Sequence, residues 1–102
     1  MGKKAVIGIS MVPVGTGSPG VSNEVAFFIN KLREKGLEVV PGPAFSTVEG
    51  DLKKTVDLII EATEETLEVA PRIVLTLKID IRRDKELSIK EKMRSLSSKL
   101  NT

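Results

Sequence analysis

The sequence predicts an α+β domain with the ferredoxin-like order β-α-β-β-α-β and one further helix at its C-terminal end. Four segments have the character of strands and three carry apolar residues at helical spacing, and Gly or Pro residues separate most of these segments. A chain of 102 residues is long enough for one core, so we expect a single domain over residues 1–102. In this fold two helices cover one face of a four-stranded antiparallel sheet, and the opposite face is left for a ligand or a partner.

The first strand is predicted over residues 4–12, where Ile7, Ile9 and Met11 form an apolar face opposite smaller residues. Pro13 is expected to end this strand because proline has no N–H to donate to a sheet. Residues 13–20 form a loop rich in Gly and Pro. The loop contains a G-x-G-x-x-G motif after a predicted strand, as dinucleotide-binding sites do, but the chain shows no crossover into a parallel sheet after it. We therefore interpret the loop as one that contacts a small molecule rather than a dinucleotide.

Two helices follow from apolar stripes at helical spacing. The first begins at Ser22, a predicted N-cap, and ends before Gly36. The second is capped by Asp51 and ended by Pro71. Its outer face is acidic and is expected to be solvated; the residues are Glu61, Glu64, Glu65 and Glu68.

The other three strands are predicted over residues 37–40, 44–49 and 72–82. The last of these has one apolar face, made of Ile73, Leu75, Leu77, Ile79 and Ile81. Its other face is mixed and carries Val74, Thr76, Lys78, Asp80 and Arg82. We expect the mixed face to be solvated or to meet a ligand or another subunit.

A last helix is predicted after Ser88, which forms an S-x-x-E capping box with Glu91. Its narrow apolar stripe is expected to dock on the same domain or on a neighbour; the residues are Ile89, Met93, Leu96 and Leu100.

Composition excludes several classes of protein. The chain contains no Cys and no His, which excludes disulfides, thiolate and imidazole metal sites, and Ser-His-Asp catalysis. We therefore expect no metal, no cofactor and no enzymatic activity. A formal net charge of +2 is too small to indicate nucleic acid, and no apolar run is long enough to span a membrane. A cytoplasmic protein is expected.

Three stretches resemble the small thiamine-binding protein family: SMVPVGTGSPGVSNEV over residues 10–25, EGDL over residues 49–52, and RIVLTLKIDIRRDK over residues 72–85. The resemblance implies a ferredoxin-like fold, homodimers or dimer-of-dimers tetramers, and binding of thiamine or its hydroxymethylpyrimidine part without catalysis. The positions that match the motifs of the family are Ser10, Pro13, Gly15, Thr16, Ser18, Ser22, Glu49, Gly50, Lys78, Asp80, Arg82, Arg83, Asp84 and Lys85.

The chain departs from the family pattern at two places. Where the family reads P-M-G-T, the chain has Pro43 to Ser46, so that Phe45 stands in place of Gly and projects a ring onto the open face. Where the family carries A-H-E on the second helix, Thr63 replaces the His.

We expect a ligand pocket near a subunit interface, because hydroxyl groups and a carboxylate match the donors and acceptors of an aminopyrimidine and Phe45 could stack on either ring of thiamine. The predicted ligand-binding residues are Ser10, Thr16, Thr47, Glu49, Lys78 and Asp80.

Three alternatives stay open. An oligomerisation module that senses another metabolite predicts the same assembly without thiamine binding. An RNA-recognition module requires aromatic residues on its first and third strands, where the chain offers only Phe45. A ferredoxin-like hydrolase would use Arg82 or Arg83 to bind an anion.

The cluster from Arg82 to Lys85 is expected to form intersubunit ion pairs or to solvate the strand end.

Overall fold

The computed structural model describes residues 3–100, which form three strands and three helices. The order along the chain is β1 (Lys4–Val14), α1 (Ser22–Glu34), β2 (Ser46–Asp51), α2 (Leu52–Thr66), β3 (Arg72–Asp80) and α3 (Ile89–Ser97). The α+β class and the additional C-terminal helix are confirmed.

The sheet has three antiparallel strands in the order β2-β1-β3, so the prediction of four strands is wrong. Residues 37–40, predicted as a strand, make only one bridge, in which Val40 and Thr47 exchange two backbone hydrogen bonds of 2.9 Å. Toward the loop the bridge cannot extend, because Pro41 and Pro43 have no N–H to donate; residues 37–39 form no ladder with β2.

The core lies between the sheet and the helices α1 and α2, as the apolar stripes predict. Ile7 and Ile9 of β1 and Val48 of β2 are buried there. Phe28 of α1 and Ile59 of α2 are buried in the same cluster. Burial of side chains of this size contributes about 1.5–3 kcal/mol each, which fixes the register of the sheet and therefore which residues face away from the helices.

The strand limits differ from those predicted. β1 continues through Pro13 to Val14, because β2 pairs with β1 only as far as Ile9 and leaves one side of β1 without a hydrogen-bonding partner there. β2 begins at Ser46 rather than at residue 44. β3 ends at Asp80, so Ile81 lies beyond the strand and is exposed, as is Ile79.

The helix ends follow local chemistry at three of the five predicted places. α2 ends at Thr66, before it reaches Pro71, so the prediction that Pro71 ends this helix is wrong. The Asp51 side chain accepts a hydrogen bond of 3.0 Å from Lys54 N, and Gly36 follows α1 with φ of +91°. Ser88 Oγ accepts one of 3.0 Å from Glu91 N and caps α3. The predicted N-cap at Ser22 is wrong: Ser22 lies within the first turn, and Val21 is the cap residue with no side-chain hydrogen bond.

The outer face of α2 is less purely solvated than the sequence predicts. Lys35 Nζ, just after α1, lies 2.7 Å from the Glu65 carboxylate and 3.5 Å from that of Glu61. The hydrogen bond between Lys35 and Glu65 raises the pKa of Lys35 and lowers the pKa of Glu65. This ion pair links the two helices on the solvent side of the core.

Candidate functional site

The sheet face opposite α1 and α2 carries five of the six predicted ligand-binding residues. Residues paired across neighbouring antiparallel strands project from the same face. The register therefore places Thr47, Gly8 and Lys78 in one row across the sheet, with Ser10 and Thr76 paired in the next row. A third row, on the other side of the first, holds Glu49, Val6 and Asp80.

Phe45 lies directly over the first of these rows. A Cβ added to Gly8 would meet Phe45 Cδ2 at 3.3 Å and Lys78 Cβ at 3.7 Å, so the ring lies against the bare backbone of Gly8 beside the stem of Lys78. Phe45 keeps 42% of its surface exposed. The ring therefore lies on the open face, as the departure from the family pattern predicts, and covers Gly8 with part of its surface.

The row of Glu49, Val6 and Asp80 is covered by the C-terminal segment of the chain. Glu49 Oε2 accepts a hydrogen bond of 2.8 Å from Ile89 N, at the first residue of α3. The Asp80 carboxylate accepts a hydrogen bond from Lys92 Nζ, one turn further along α3. The helix therefore runs across this end of the sheet from β2 to β3.

The connection between β3 and α3 is held at the same end. Glu86 Oε2 accepts a hydrogen bond of 2.9 Å from Lys4 N, and the carbonyl of Arg83 accepts one of 3.1 Å from Lys3 Nζ. Val6 and Leu87, both outside the main core cluster, are only 8% and 5% exposed. The expectation that helices leave this whole sheet face bare is therefore correct only for the rows of Gly8, Ser10 and Val12.

Electrostatically, the site has one cationic side and one neutralised side. Lys78 is exposed in the open row, where the strand pairing gives it Gly8 as its neighbour. Glu49 lies 3.8 Å from Lys4 Nζ in addition to its bond with α3, and Asp80 is paired with Lys92. The two carboxylates are thus engaged within the chain, and among residues 3–100 no group of three acidic side chains is arranged to hold a metal ion.

Thr16, the sixth predicted residue, is not brought to this site within one chain. Its hydroxyl donates a hydrogen bond of 3.2 Å to Ser18 O within the loop. The neighbouring Gly15 packs close to Pro71, where an added Cβ would lie 3.1 Å from the proline ring. Pro71 precedes β3, and at 3.3 Å per residue the start of β3 lies about 20 Å from Lys78.

The cluster from Arg82 to Lys85 is partly paired within the chain. Arg82 donates two hydrogen bonds to the Asp84 carboxylate, of 2.9 Å from Nε and 2.5 Å from Nη2. This pairing lowers the pKa of Asp84. Arg83 and Lys85 are exposed. The predicted role in intersubunit ion pairs stays a prediction for these two side chains.

Thr63, the second departure from the family pattern, lies on α2. Its hydroxyl donates a hydrogen bond of 2.8 Å to Ile59 O, one turn earlier in the helix. The side chain is thus satisfied by its own helix, and α2 lies on the face of the sheet opposite the open rows.

A small cavity of about 130 Å³ lies on the helix side of the sheet, between α1 and the segment before β2. It is lined mainly by apolar side chains, including Met11, Phe28 and Ile29, with Ser46 at its polar side. The volume is similar to that of a single aromatic ring.

Sequence analysis missed the contacts that fold the C-terminal segment over the sheet. The partners of these contacts, such as Glu49 with Ile89 and Lys4 with Glu86, are 40 and 82 residues apart. No local spacing links such pairs. The one available signal was the capping box at Ser88, which locates the start of the helix without showing what it packs against.

Comparisons with known proteins place the chain among small proteins of matching length. The model of the thiamine-binding protein family matches residues 7–97. A UPF0045 protein of Methanocaldococcus jannaschii, MJ1052, is 33% identical over 94 residues, which cover 92% of this chain and 93% of the relative. A UPF0045 protein of Staphylococcus xylosus is 30% identical over 102 residues, with 95% of each chain covered.

Two solved structures share the fold. The crystal structure of MJ1052 superposes with a TM-score of 0.84 at 32% identity, covering 93% of this chain and 97% of the other. A Thermotoga maritima protein, assigned provisionally to thiamine biosynthesis or salvage, superposes with a TM-score of 0.81 at 27% identity, covering 91% and 98%. The resemblance predicted from the three sequence motifs is therefore confirmed.

Proposed function

The chain belongs to the thiamine-binding protein family, and from this premise we propose that it binds thiamine, or the hydroxymethylpyrimidine part of thiamine, without catalysing a reaction. The proposed site is the open row of the sheet made by Thr47, Gly8 and Lys78, together with Ser10 and the ring of Phe45. The observation that carries the proposal is the half-exposed Phe45 ring lying over Gly8 beside Lys78.

The chemistry of the row matches the aminopyrimidine ring. The exposed surface of Phe45 offers a plane on which the ring can stack, and the Lys78 ammonium can donate a hydrogen bond to a ring nitrogen. The hydroxyls of Ser10 and Thr47 can accept from the exocyclic amine. Because Lys78 repels the positive thiazolium, we place the pyrimidine beside Lys78 and the thiazolium away from it.

In this proposal Glu49 and Asp80 border the site rather than contact the pyrimidine. Their carboxylates hold α3 across the adjacent row, so they form the wall at that end of the site.

The proposed site lies at an interface between copies of the chain, in a homodimer or a dimer-of-dimers tetramer. Val12 and Val74 are paired across β1 and β3 on the open face, and both are nearly half exposed. A second copy that covers these residues would bury apolar surface, which favours association. Thr16 lies too far from Lys78 within one chain, so it can join the site only from the partner copy.

Calorimetric titration of the protein with thiamine and with hydroxymethylpyrimidine tests the proposal. We expect saturable heat with at least one of them, and Lys78→Met should weaken that binding by about tenfold or more, since hydrogen bonds from charged groups contribute about 1.5–3 kcal/mol.

Lys53→Met is the matched control, because it makes the same substitution at an exposed lysine of α2. It should change the affinity by less than about twofold, because α2 lies on the side of the sheet opposite the open rows. Absence of saturation with either compound for the unmodified protein would refute the proposal.

A second candidate function is an oligomeric module that senses a different small metabolite. The specific observation in its favour is Phe45, whose ring occupies space over Gly8 that the glycine of the family pattern would leave open. This candidate predicts the same assembly, no heat with thiamine, and binding of a ligand that is smaller than thiamine but still planar.

A further inference from the structure

The helix α3 exposes an apolar stripe to solvent. Met93, Leu96 and Leu100 are each at least half exposed, and α3 has no buried residue. Met93 and Leu96 lie on one side of α3, and Leu100 extends this stripe just beyond the end of the helix. The exposed residues Lys90, on α3, and Lys99, after it, flank the stripe. Residues 82–100 contain seven basic and three acidic side chains, which gives this segment a formal charge of +4.

An open hollow of about 1120 Å³ runs along the same helix. One wall is α3, including Met93 and Leu96, and the other is the segment from Asp80 to Leu87. The charged side chains that line it are five basic and three acidic ones, so the hollow is positive overall. A lining of apolar side chains and a net positive charge fits an amphipathic helix with an acidic face.

The outer side of α2 has the complementary character. Ile60 of α2 and Leu67, which directly follows the last residue of α2, are each about half exposed and lie on the same side, two turns apart. Glu64 and Glu68 lie beside them, and within residues 3–100 neither of these carboxylates forms an ion pair. This stripe therefore combines apolar surface with negative charge that is not neutralised within the chain.

We propose that α3 of one copy of this chain docks against the outer side of α2 of a second copy. Opposite charge and matching apolar stripes on the two helices carry the inference. The open sheet face, the other exposed apolar surface, is a poorer partner for α3 because it carries Arg72 and Lys78.

Each copy carries one α2 stripe and one α3 stripe. Two copies related by a two-fold axis could therefore make the contact twice and form a closed pair. This interface is separate from the open-face interface of the proposed function. A dimer-of-dimers tetramer would use both.

The test reverses charge on each helix in turn and measures molar mass by light scattering over a dilution series. The double variant Glu64→Lys, Glu68→Lys should dissociate at about tenfold higher protein concentration, because its new lysines on α2 would repel the lysines of α3 in the second copy. Lys90→Glu with Lys99→Glu should do the same. Combining all four substitutions in one chain should restore the original mass profile.

The restored mass distinguishes this contact from any other. A monomeric unmodified protein, an unchanged mass after reversal on α2, or no recovery in the fourfold variant would each overturn the proposal. The far-ultraviolet circular dichroism of every variant should match that of the unmodified chain, since all four positions are exposed. Thiamine titration of the same variants reports on the open face separately.

Discussion

Replacing Glu49 by Gln should loosen α3 from the sheet without unfolding the core. Glu49 Oε2 accepts a hydrogen bond of 2.8 Å from Ile89 N, and the carboxylate stands at the positive end of the α3 dipole. The Gln variant keeps an acceptor oxygen at this place but removes its charge. The perturbation therefore isolates the electrostatic part of the contact.

The size of the effect follows from the geometry. A hydrogen bond to a charged group contributes about 1.5–3 kcal/mol, and a neutral one about 0.5–1.5 kcal/mol. The loss of the dipole interaction adds about 0.3–1 kcal/mol. The Glu49 side chain is 32% exposed, so solvent screening reduces the sum of these two terms. We therefore expect the Gln variant to lose about 1–1.5 kcal/mol of the free energy that docks α3 on the sheet.

Hydrogen exchange of backbone amides measures this effect segment by segment. Amides of α3 from Lys92 onward should exchange roughly five- to tenfold faster in the variant, which corresponds to the expected free energy. Amides of α2 should be unaffected, because that helix is held by the buried Ile59 and Ala62.

Glu34→Gln is the matched control for this experiment. It makes the same substitution at the end of α1, where the exposed Glu34 carboxylate lies 4.0 Å from Lys31 Nζ. It should leave exchange in α3 unchanged. Equal acceleration in α2 and α3 of the Glu49 variant, or no acceleration in α3, would show that Glu49 does not anchor the helix.

Three further predictions concern the site and the core. Phe45→Ala should weaken thiamine binding about tenfold in calorimetry, since stacking of a base on an aromatic ring contributes about 1–3 kcal/mol; unchanged affinity would remove Phe45 from the site. Gly50→Ala should lower the unfolding free energy by about 1–3 kcal/mol in denaturant titrations, because the new Cβ would lie 2.6 Å from the hydroxyl of the buried Thr55. Because Lys35 lowers the pKa of Glu65 in the folded chain, this pair contributes stability above the ordinary carboxylate pKa of 4.5 and loses it as pH falls through the lower folded pKa. Lys35→Gln should therefore reduce the unfolding free energy at pH 7 and make no difference at pH 2, and equal reductions at both would contradict this assignment.

Elements defined by short-range patterns were predictable from the sequence. Asp51 and Ser88 were identified as caps because the acceptor and the amide it serves are only three residues apart. The buried face of β1 was identified because side chains alternate across a strand. The position of Ser10, Thr47 and Lys78 on the opposite face follows from the same alternation.

The errors arose where tertiary contacts decide the structure. The segment from residue 37 to residue 40 has strand-like residues, but only Val40 pairs with β2, at Thr47. The placement of α3 depends on Glu49 and Asp80 reaching residues that are distant in sequence. Buried threonines were missed for a related reason: Thr66 is accommodated in the core because its hydroxyl donates a hydrogen bond of 2.7 Å to Ala62 O.

The position of the binding site can be measured directly by recording backbone amide chemical shifts during titration with thiamine. The account predicts saturable shifts that are largest at Gly8, Ser10, Thr47 and Lys78, with small shifts along α2. Saturable shifts centred instead on the helix-side cavity near Phe28, or no saturable shifts at all, would contradict it.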